Sequence, residues 1–170
     1  MATTSSFLLS STFGVLSSLL MRARTRVGST AARTSDLLRG SSDPLFLTVT
    51  EVNQIHDEQV AEYGGIPGVR DDEALDAAVH MPQQTFDGAY VHSDLFEMAA
   101  AYVFHIALDH PYVDGNKRTA GESGDVFLFM NGYELAMPEE DYERFLVAVA
   151  AHEYEKIEIA EYLRRHCKSR

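Results

Sequence analysis

The stretch from Met98 to Leu108 is almost uniformly apolar and lies inside the longer segment LFEMAAAYVFHIALDH (Leu95–His110). A helix that is apolar on all sides is normally buried by other elements. We therefore predict a central helix here, around which the rest of the chain packs. No apolar run in the sequence approaches the ~18 residues that span a bilayer, which excludes an integral membrane protein.

Capping and periodic signals predict further helices on both sides of this segment. Thr48 and Glu51 have capping-box spacing, and Asp71 is suited to cap a short helix that ends at Pro82. The sequence TFDGAY has turn chemistry that allows one short β-hairpin. The predicted fold is mainly α, a single domain over residues 44–170, with helices over residues 48–63, 71–81, 93–110, 118–130, 138–151 and 155–165.

The first 43 residues differ from the rest in composition. They are rich in Ser, Thr, Ala and Arg, contain no acidic residue before Asp36, and show no sustained period. Phe7–Leu20 resembles a signal-peptide core and the arginines resemble an organelle transit peptide, but the arginines follow the apolar run. We favour a start assigned too early, and expect a largely disordered, low-complexity tail over residues 1–43.

The charge of the chain excludes some classes of function. The formal net charge is −12, divided into +3 over residues 1–43 and −15 over the remainder. A body this acidic repels phosphate backbones, so we expect no direct binding to nucleic acid. The single cysteine, Cys167, excludes an intramolecular disulfide and a cysteine-built zinc site, and is typical of a cytoplasmic protein.

The segment HPYVDGNKRT (residues 110–119) contains the parts of a phosphate-transfer site. Histidine exchanges protons near neutral pH, and Pro111 places His110 at a helix exit. Asp114 is an oxygen ligand of the kind that Mg²⁺ prefers when it is shared with nucleotide phosphates. The backbone amides of Gly115, Asn116 and Lys117 lead into a helix N-terminus, which is an anion-binding arrangement. Lys117 and Arg118 add charges suited to phosphate oxygens.

Each part of this segment also has an ordinary structural interpretation. A histidine at a helix end is often structural, Asp-Gly-Asn is a common turn, and Lys-Arg pairs are usually solvated. Their joint occurrence favours the site, because residues 41–143 contain just one other basic residue, Arg70. For Arg70 we predict an ion pair at the start of a helix. The histidines give no helical zinc pattern, and His56, His80 and His152 are predicted at the surface.

HPYVDGNKRT resembles the signature of the Fic/Doc superfamily, H-P-F-x-x-D/E-G-N-x-R, with Tyr112 in place of the common Phe. The lysine before Arg118 is the mark of the Doc branch, whose members are toxins of toxin–antitoxin modules. Residues 47–83 and 129–135 are also similar to Doc proteins, so the resemblance covers residues 45–165. It implies a Fic/Doc-type helical bundle with a central helix-loop-helix motif.

The resemblance also implies roles for the motif residues. By this comparison His110 is the general base, Tyr112 anchors the loop in the core, Asp114 holds Mg²⁺, Gly115 and Asn116 form the anion hole, and Arg118 holds a phosphate. Lys117 occupies the space of a glycine found in the AMP-transferring branch. In Doc-like members the nucleotide is thought to bind reversed, so that the terminal phosphoryl group is transferred.

The implied reaction is ATP-dependent phosphorylation of a threonine in elongation factor Tu, which halts translation in the cytoplasm. A cognate antitoxin is the expected second partner, with a disordered segment that folds against this domain. Two alternatives stay open: adenylyl transfer on the same scaffold, and an inactive remnant that still binds the antitoxin.

The motif helix departs from the family, which usually has a run of Ala and Leu after the arginine. This chain has Gly121 and Gly124, each of which costs ~1 kcal/mol relative to alanine inside a helix. Glu122 lies between the two glycines and Asp125 follows the second. A carboxylate turned toward the core is costly at either position. We expect these residues to weaken the helix that carries Arg118, or to mark an inactive copy. Gly121 also stands where the AMP-transferring branch often has a second arginine.

Overall fold

A computed structural model describes residues 43–170. The predicted tail before Asp43 lies outside the described residues. Residues 43–170 form a mainly helical fold with two pairs of short antiparallel strands. In chain order the elements are α1 (Val49–Tyr63), α2 (Asp72–His80), a 3₁₀ turn (Met81–Gln83), β1 (Thr85–Phe86), β2 (Ala89–Tyr90), α3 (Leu95–Asp109), α4 (Asn116–Met130), β3 (Tyr133–Leu135), α5 (Glu139–Ala150), α6 (Lys156–His166) and β4 (Cys167–Ser169).

The apolar segment forms α3 and is the centre of the fold, as predicted. It packs against α2, α4, α5 and α6, and the consecutive residues Ala99, Ala100, Ala101 and Tyr102, which point to all sides of the helix, are fully buried. No helix within residues 43–170 combines the length and the apolar character needed to cross a membrane. The helix-loop-helix motif is therefore built directly onto the most buried element of the described chain.

Most helix ends match the predicted capping signals. Thr48 and Glu51 form the capping box of α1, and Asp71 caps α2 by accepting a hydrogen bond from the Ala74 amide at 2.9 Å. The predicted start of α3 at Ser93 is wrong by one residue, because Asp94 accepts hydrogen bonds from the first-turn amides. Pro138 is the N-cap of α5 and does not lie in its first turn.

The short hairpin is confirmed, and a second strand pair was not predicted. In β1–β2, Thr85 pairs with Tyr90 across the turn Asp87-Gly88, whose residues both have positive φ, as a tight hairpin turn requires. In β3–β4, Tyr133–Leu135 pairs with Cys167–Ser169. Strands of three residues at the end of a charged segment carry too weak an alternation to be recognised in sequence.

The glycines do not interrupt α4, which runs unbroken from Asn116 to Met130. A Cβ on Gly121 would meet the side chain of Leu146 on α5, with Cδ2 at 3.1 Å, and a Cβ on Gly124 would lie 2.6 Å from Val103 Cγ2 on α3. At both glycines a neighbouring helix lies too close to α4 for a Cβ to fit without a shift. Their cost in helix propensity is therefore offset by close packing.

The two carboxylates of α4 face the interior, as the sequence suggested. Burial raises the pKa of Glu122 to about 8, with further repulsion from Asp125 and from the carboxylates of α1 and α5. Burial raises the pKa of Asp125 to about 6, with a contribution from Glu134. The Oε1 atom of Glu122 is buried and has no hydrogen-bond partner within residues 43–170. Glu122 is thus mainly protonated near neutral pH.

Candidate active site

His110 lies at the end of α3, exposed to solvent, with the left-handed backbone angles φ 49° and ψ 56°. Few residues other than glycine adopt this conformation, and it is common at functional sites. Pro111 follows directly and is buried. The structure therefore places the predicted base at a helix exit, in a strained conformation imposed by the loop that follows.

The motif loop is held by a segment that the sequence analysis did not identify, residues 68–71. The carbonyl of Pro111 accepts hydrogen bonds from the amides of Arg70 and Asp71 at 2.7 and 3.1 Å. The amide of Val113 donates to the Gly68 carbonyl at 3.0 Å. Residues 111–113 therefore form an extended segment with a paired edge.

Arg70 does not form the predicted ion pair. Its guanidinium donates to the carbonyl of Asp109 at 3.2 Å, at the end of α3, and it has no ion pair within the described residues. Carbonyls at the last turn of a helix attract cations, because the helix dipole is negative there. Arg70 therefore stabilises the helix end from which His110 projects.

Tyr112 anchors the loop in the core, as the family resemblance implied. The side chain is completely buried, and its hydroxyl donates to Asn53 Oδ1 at 2.8 Å. Its ring stacks on that of His56, with centroids 3.8 Å apart. The buried hydroxyl thus has the partner that burial requires.

The surface position predicted for His56 is wrong, since its side chain is 1% exposed. Its Nδ1 lies 3.2 Å from Thr119 Oγ1, and its Cε1 would lie 3.5 Å from a Cβ on Gly115. Burial lowers the pKa of His56; the charge of Asp57 opposes this shift, and the charge of Arg118 adds to it. A neutral imidazole therefore supports the motif from beneath, and no local sequence pattern distinguishes it from an exposed histidine.

Asn116 closes the loop through its side chain. Its Oδ1 accepts from the Tyr112 amide at 2.8 Å, and its Nδ2 donates to the Tyr112 carbonyl at 2.9 Å. The side-chain amide is thereby occupied, so the backbone amide is the group of Asn116 that is available to a ligand.

Asp114 is an exposed carboxylate with two backbone donors. Its Oδ1 accepts from the Gly115 amide at 2.6 Å and its Oδ2 from the Ile66 amide at 3.3 Å. These amides, together with the positive charge of Arg118, hold the pKa of Asp114 below its usual value. The backbone of residues 65 and 66 passes close to Oδ2 because residue 65 is a glycine. A Cβ there would lie 2.8 Å from this oxygen.

The N-terminus of α4 is left without a side-chain cap. Gly115 is the N-cap residue, with φ 76°, and it provides no side-chain hydrogen bond. Its own amide donates to Asp114, so the predicted anion-binding arrangement of three amides is reduced to the amides of Asn116 and Lys117, which we call the cradle. Unpartnered first-turn amides at the positive end of a helix dipole attract anions.

The two cations of the motif have different surroundings. Lys117 is exposed and forms no ion pair within residues 43–170. Arg118 donates to the carbonyls of Gln59 and Gly64 at 3.3 and 3.0 Å and lies over the ring of Tyr63. Arg118 thus ties the end of α1 to the motif, and a phosphate would meet its remaining N–H groups.

All six predicted site residues line one cleft of about 530 Å³. They are His110, Asp114, Gly115, Asn116, Lys117 and Arg118. The opposite wall comes from α5, through Glu143, Leu146, Val147 and Ala150, and sequence reasoning did not identify it. These four residues follow helical spacing with no motif of their own, so their role depends on how α5 packs on α4.

The cleft is suited to a magnesium ion shared with phosphates. Asp114 supplies an ionised oxygen ligand beside the uncapped amides of α4. Within the described residues no cluster of three or more His, Cys, Asp or Glu side chains could hold a metal ion by itself. One carboxylate plus ligand phosphates is the usual set for Mg²⁺, which retains water and rarely occupies an all-protein cage.

The chain is similar in sequence to known proteins. Residues 46–128 match the model of the Fic/DOC family. The chain is 46% identical to Toxin Doc of Mycolicibacterium smegmatis over 74 residues, which is 44% of this chain and 57% of that toxin. It is 34% identical to Protein kinase doc of Escherichia phage P1 over 115 residues, which is 68% of this chain and 90% of that protein.

Proposed function

The chain belongs to the Fic/DOC family, in its Doc toxin branch, and on this premise we propose that it is the toxin kinase of a toxin–antitoxin module. The proposed reaction transfers a phosphoryl group from ATP to a hydroxyl group of a translation factor in the cytoplasm. The family resemblance favours a threonine of elongation factor Tu. The name of the phage relative, Protein kinase doc, supports phosphoryl transfer.

One observation carries this proposal: a single cleft collects an exposed histidine, an ionised carboxylate and unpartnered helix amides. Phosphoryl transfer depends mainly on positioning and charge neutralisation, and these groups supply both. The glycines of α4 do not argue for a decayed copy, since the helix that carries the cradle is continuous.

The roles of the residues follow from their places in the cleft. His110 accepts the proton of the target hydroxyl as that oxygen bonds to the terminal phosphorus of ATP, while the bond to the ADP oxygen breaks. The amides of Asn116 and Lys117, with the Lys117 ammonium, stabilise negative charge on the transferred group. Asp114 would hold Mg²⁺, which neutralises phosphate charge when bound. Tyr112 and Asn116 keep the loop in the shape these contacts need.

Labelled ATP tests the proposal directly. The purified chain is incubated with γ-labelled ATP, Mg²⁺ and a bacterial translation extract, and the modified protein is identified by intact mass. We expect a phosphate-sized addition to a translation factor, lost in His110→Ala. A matched control is His152→Ala, because His152 is also exposed with positive φ (59°) but does not line the cleft.

The alternatives predict other results. A nucleotide-sized addition would favour adenylyl transfer, and Lys117→Gly, which removes the side chain next to the cradle, would then leave that product unchanged. A well-folded protein that modifies nothing and binds no ATP would contradict the kinase and favour an antitoxin-binding remnant. Co-purification with the product of a neighbouring antitoxin gene tests the second expected partner in either case.

A further inference from the structure

The wall of the cleft opposite the cradle is the part that no motif explains. It is the face of α5 formed by Glu143, Leu146, Val147 and Ala150. We call this face the α5 wall. Leu146 is nearly buried, whereas Val147 is 49% exposed although it is apolar. An apolar side chain exposed inside a concave site is a contact available to a ligand.

The two sides of the cleft differ in charge and polarity. The cradle side offers the backbone amides at the start of α4 and the ammonium of Lys117. The α5 wall offers aliphatic groups and the Glu143 carboxylate, which repels phosphate. A nucleoside triphosphate is itself divided into an anionic chain and a flat, largely apolar base on a hydroxylated sugar. The charge pattern directs its phosphates to the cradle and its nucleoside to the α5 wall.

Gly121 sets the distance between these two sides. The Leu146 side chain rests on Gly121, with Cδ2 and Cγ at 3.1 and 3.3 Å from the position of a Cβ. The Tyr142 hydroxyl donates to the Gly121 carbonyl at 2.9 Å. One turn of α5 is therefore fixed to α4 just beyond the cradle, by a contact that exists because residue 121 has no side chain.

We propose that the α5 wall is the nucleoside-binding face of the site, and that Gly121 is a positioning residue that fixes its distance from the phosphate cradle. This inference rests on the proposed function, since it concerns the nucleotide of the same reaction. A methyl group at residue 121 must either turn Leu146 into the cleft or push α5 away. Either change spoils the fit of a nucleoside and leaves the amides of the cradle in place.

Gly121→Ala and Gly124→Ala form a matched pair of variants. Both replace a glycine in α4 by the residue with the highest helix propensity. Both add a methyl group at a tight helix contact, against Leu146 on α5 or Val103 on α3. Only the first contact borders the cleft. A general effect of overpacking on folding is therefore present in both variants, whereas an effect on the α5 wall is confined to Gly121→Ala.

The probes are ATP and inorganic tripolyphosphate, with Mg²⁺, in calorimetric titrations of the full chain. The wild type should bind ATP more tightly than tripolyphosphate. Gly121→Ala should raise the dissociation constant of ATP about tenfold, the effect of roughly 1.4 kcal/mol of overpacking, with little change for tripolyphosphate. Gly124→Ala should bind both like the wild type. In a Leu146→Ala background, Gly121→Ala should raise the dissociation constant of ATP less than about twofold, because the clash with the Leu146 side chain is gone.

Val147→Gln tests the same wall where folding is not at risk, since this side chain is half exposed. The substitution adds no charge that would repel both probes, so it should weaken ATP binding more than tripolyphosphate binding. The inference is overturned if the wild type binds the two probes equally, if Gly121→Ala and Gly124→Ala weaken ATP binding equally, or if Val147→Gln leaves ATP preference intact. A wild type that binds neither probe overturns the proposed function as well, so the two failures are distinguishable.

Discussion

The first turn of α4 and the middle of the same helix use their backbone differently. The first turn begins at a glycine that offers no side-chain cap and carries two cations, the exposed Lys117 and Arg118, which is hydrogen-bonded to the end of α1. The middle, residues 121–125, is pressed against α3 and α5 and carries two carboxylates with raised pKa values. The first turn has unpartnered backbone amides that face solvent. The middle has unpartnered side-chain oxygens that face protein.

The difference separates features that serve a ligand from features that serve packing. Uncapped amides that face a cleft cost the fold little free energy, because water accepts their hydrogen bonds until an anion binds. A carboxyl group with a buried, unpartnered oxygen has no such substitute, so its protonation compensates. Substitutions in the first turn should therefore change catalysis at constant stability, and substitutions in the middle should change stability.

The largest expected effect comes from His110→Asn. Asparagine tolerates the left-handed conformation of this position better than most residues, so the loop keeps its shape and the proton acceptor is lost. We expect the rate of phosphoryl transfer to fall by roughly 10²–10⁴-fold, the usual contribution of a general base, at an unchanged melting temperature. His152→Asn is the control. A large loss of stability in His110→Asn would show that the motif loop before α4 serves packing, and that features serving a ligand and features serving packing are not separated at this site.

The next effect is expected from Glu122→Gln, and it depends on pH. The unfolded glutamate ionises near 4.5 and the folded one at about 8, so ionisation between these values favours the unfolded state. The stability of the wild type should fall as pH rises through this window, and glutamine removes the penalty. We expect the variant to be more stable by about 1–3 kcal/mol at pH 7 and unchanged at pH 4.

Chemical denaturation at pH 4, 7 and 8 measures this difference. Glu153→Gln, at an exposed position in the loop between α5 and α6, is the control and should leave the free energy of unfolding unchanged in all three conditions. Equal stabilities of the wild type and Glu122→Gln at pH 8 would mean that Glu122 reaches water, and that the middle of α4 is not shielded from solvent.

The smallest effect is expected from Tyr112→Phe, in the loop that leads into the first turn of α4. The ring and its stacking on His56 are kept, but Asn53 loses its hydroxyl partner. The free energy of unfolding should fall by about 1 kcal/mol, and the transfer rate should fall less than in His110→Asn. Thermal melts and labelled-ATP assays measure both. Tyr90→Phe, whose ring is partly exposed, should change neither.

The parts of this molecule that were predicted from sequence are those with local causes. The capping box of Thr48 and Glu51, the cap of Asp71, the apolar run of α3 and the turn of the hairpin each act over a few residues. The motif residues are likewise close in sequence, so their assembly around one loop could be inferred from their order.

The parts that were missed depend on contacts between distant residues. The start of α4 was placed at Arg118 because Gly115 acts as N-cap through its backbone conformation and offers no capping side chain. His56 is buried by Tyr112, 56 residues later in the chain. The α5 wall and the role of Gly121 exist only once α5 lies on α4. Such features follow from tertiary packing, which a helical period alone does not specify.

The pairing of residues 111–113 with residues 68–71 has a consequence for turnover. A loop held by backbone hydrogen bonds on one edge and by the buried Tyr112 beneath does not swing aside to admit or release a nucleotide. In the proposed reaction, exchange of ADP for ATP must then proceed past the exposed side chains that line the cleft, among them Val113 and Val147, which are both 49% exposed. A macromolecule seated over these side chains would trap the spent nucleotide and arrest the cycle without touching a reacting atom.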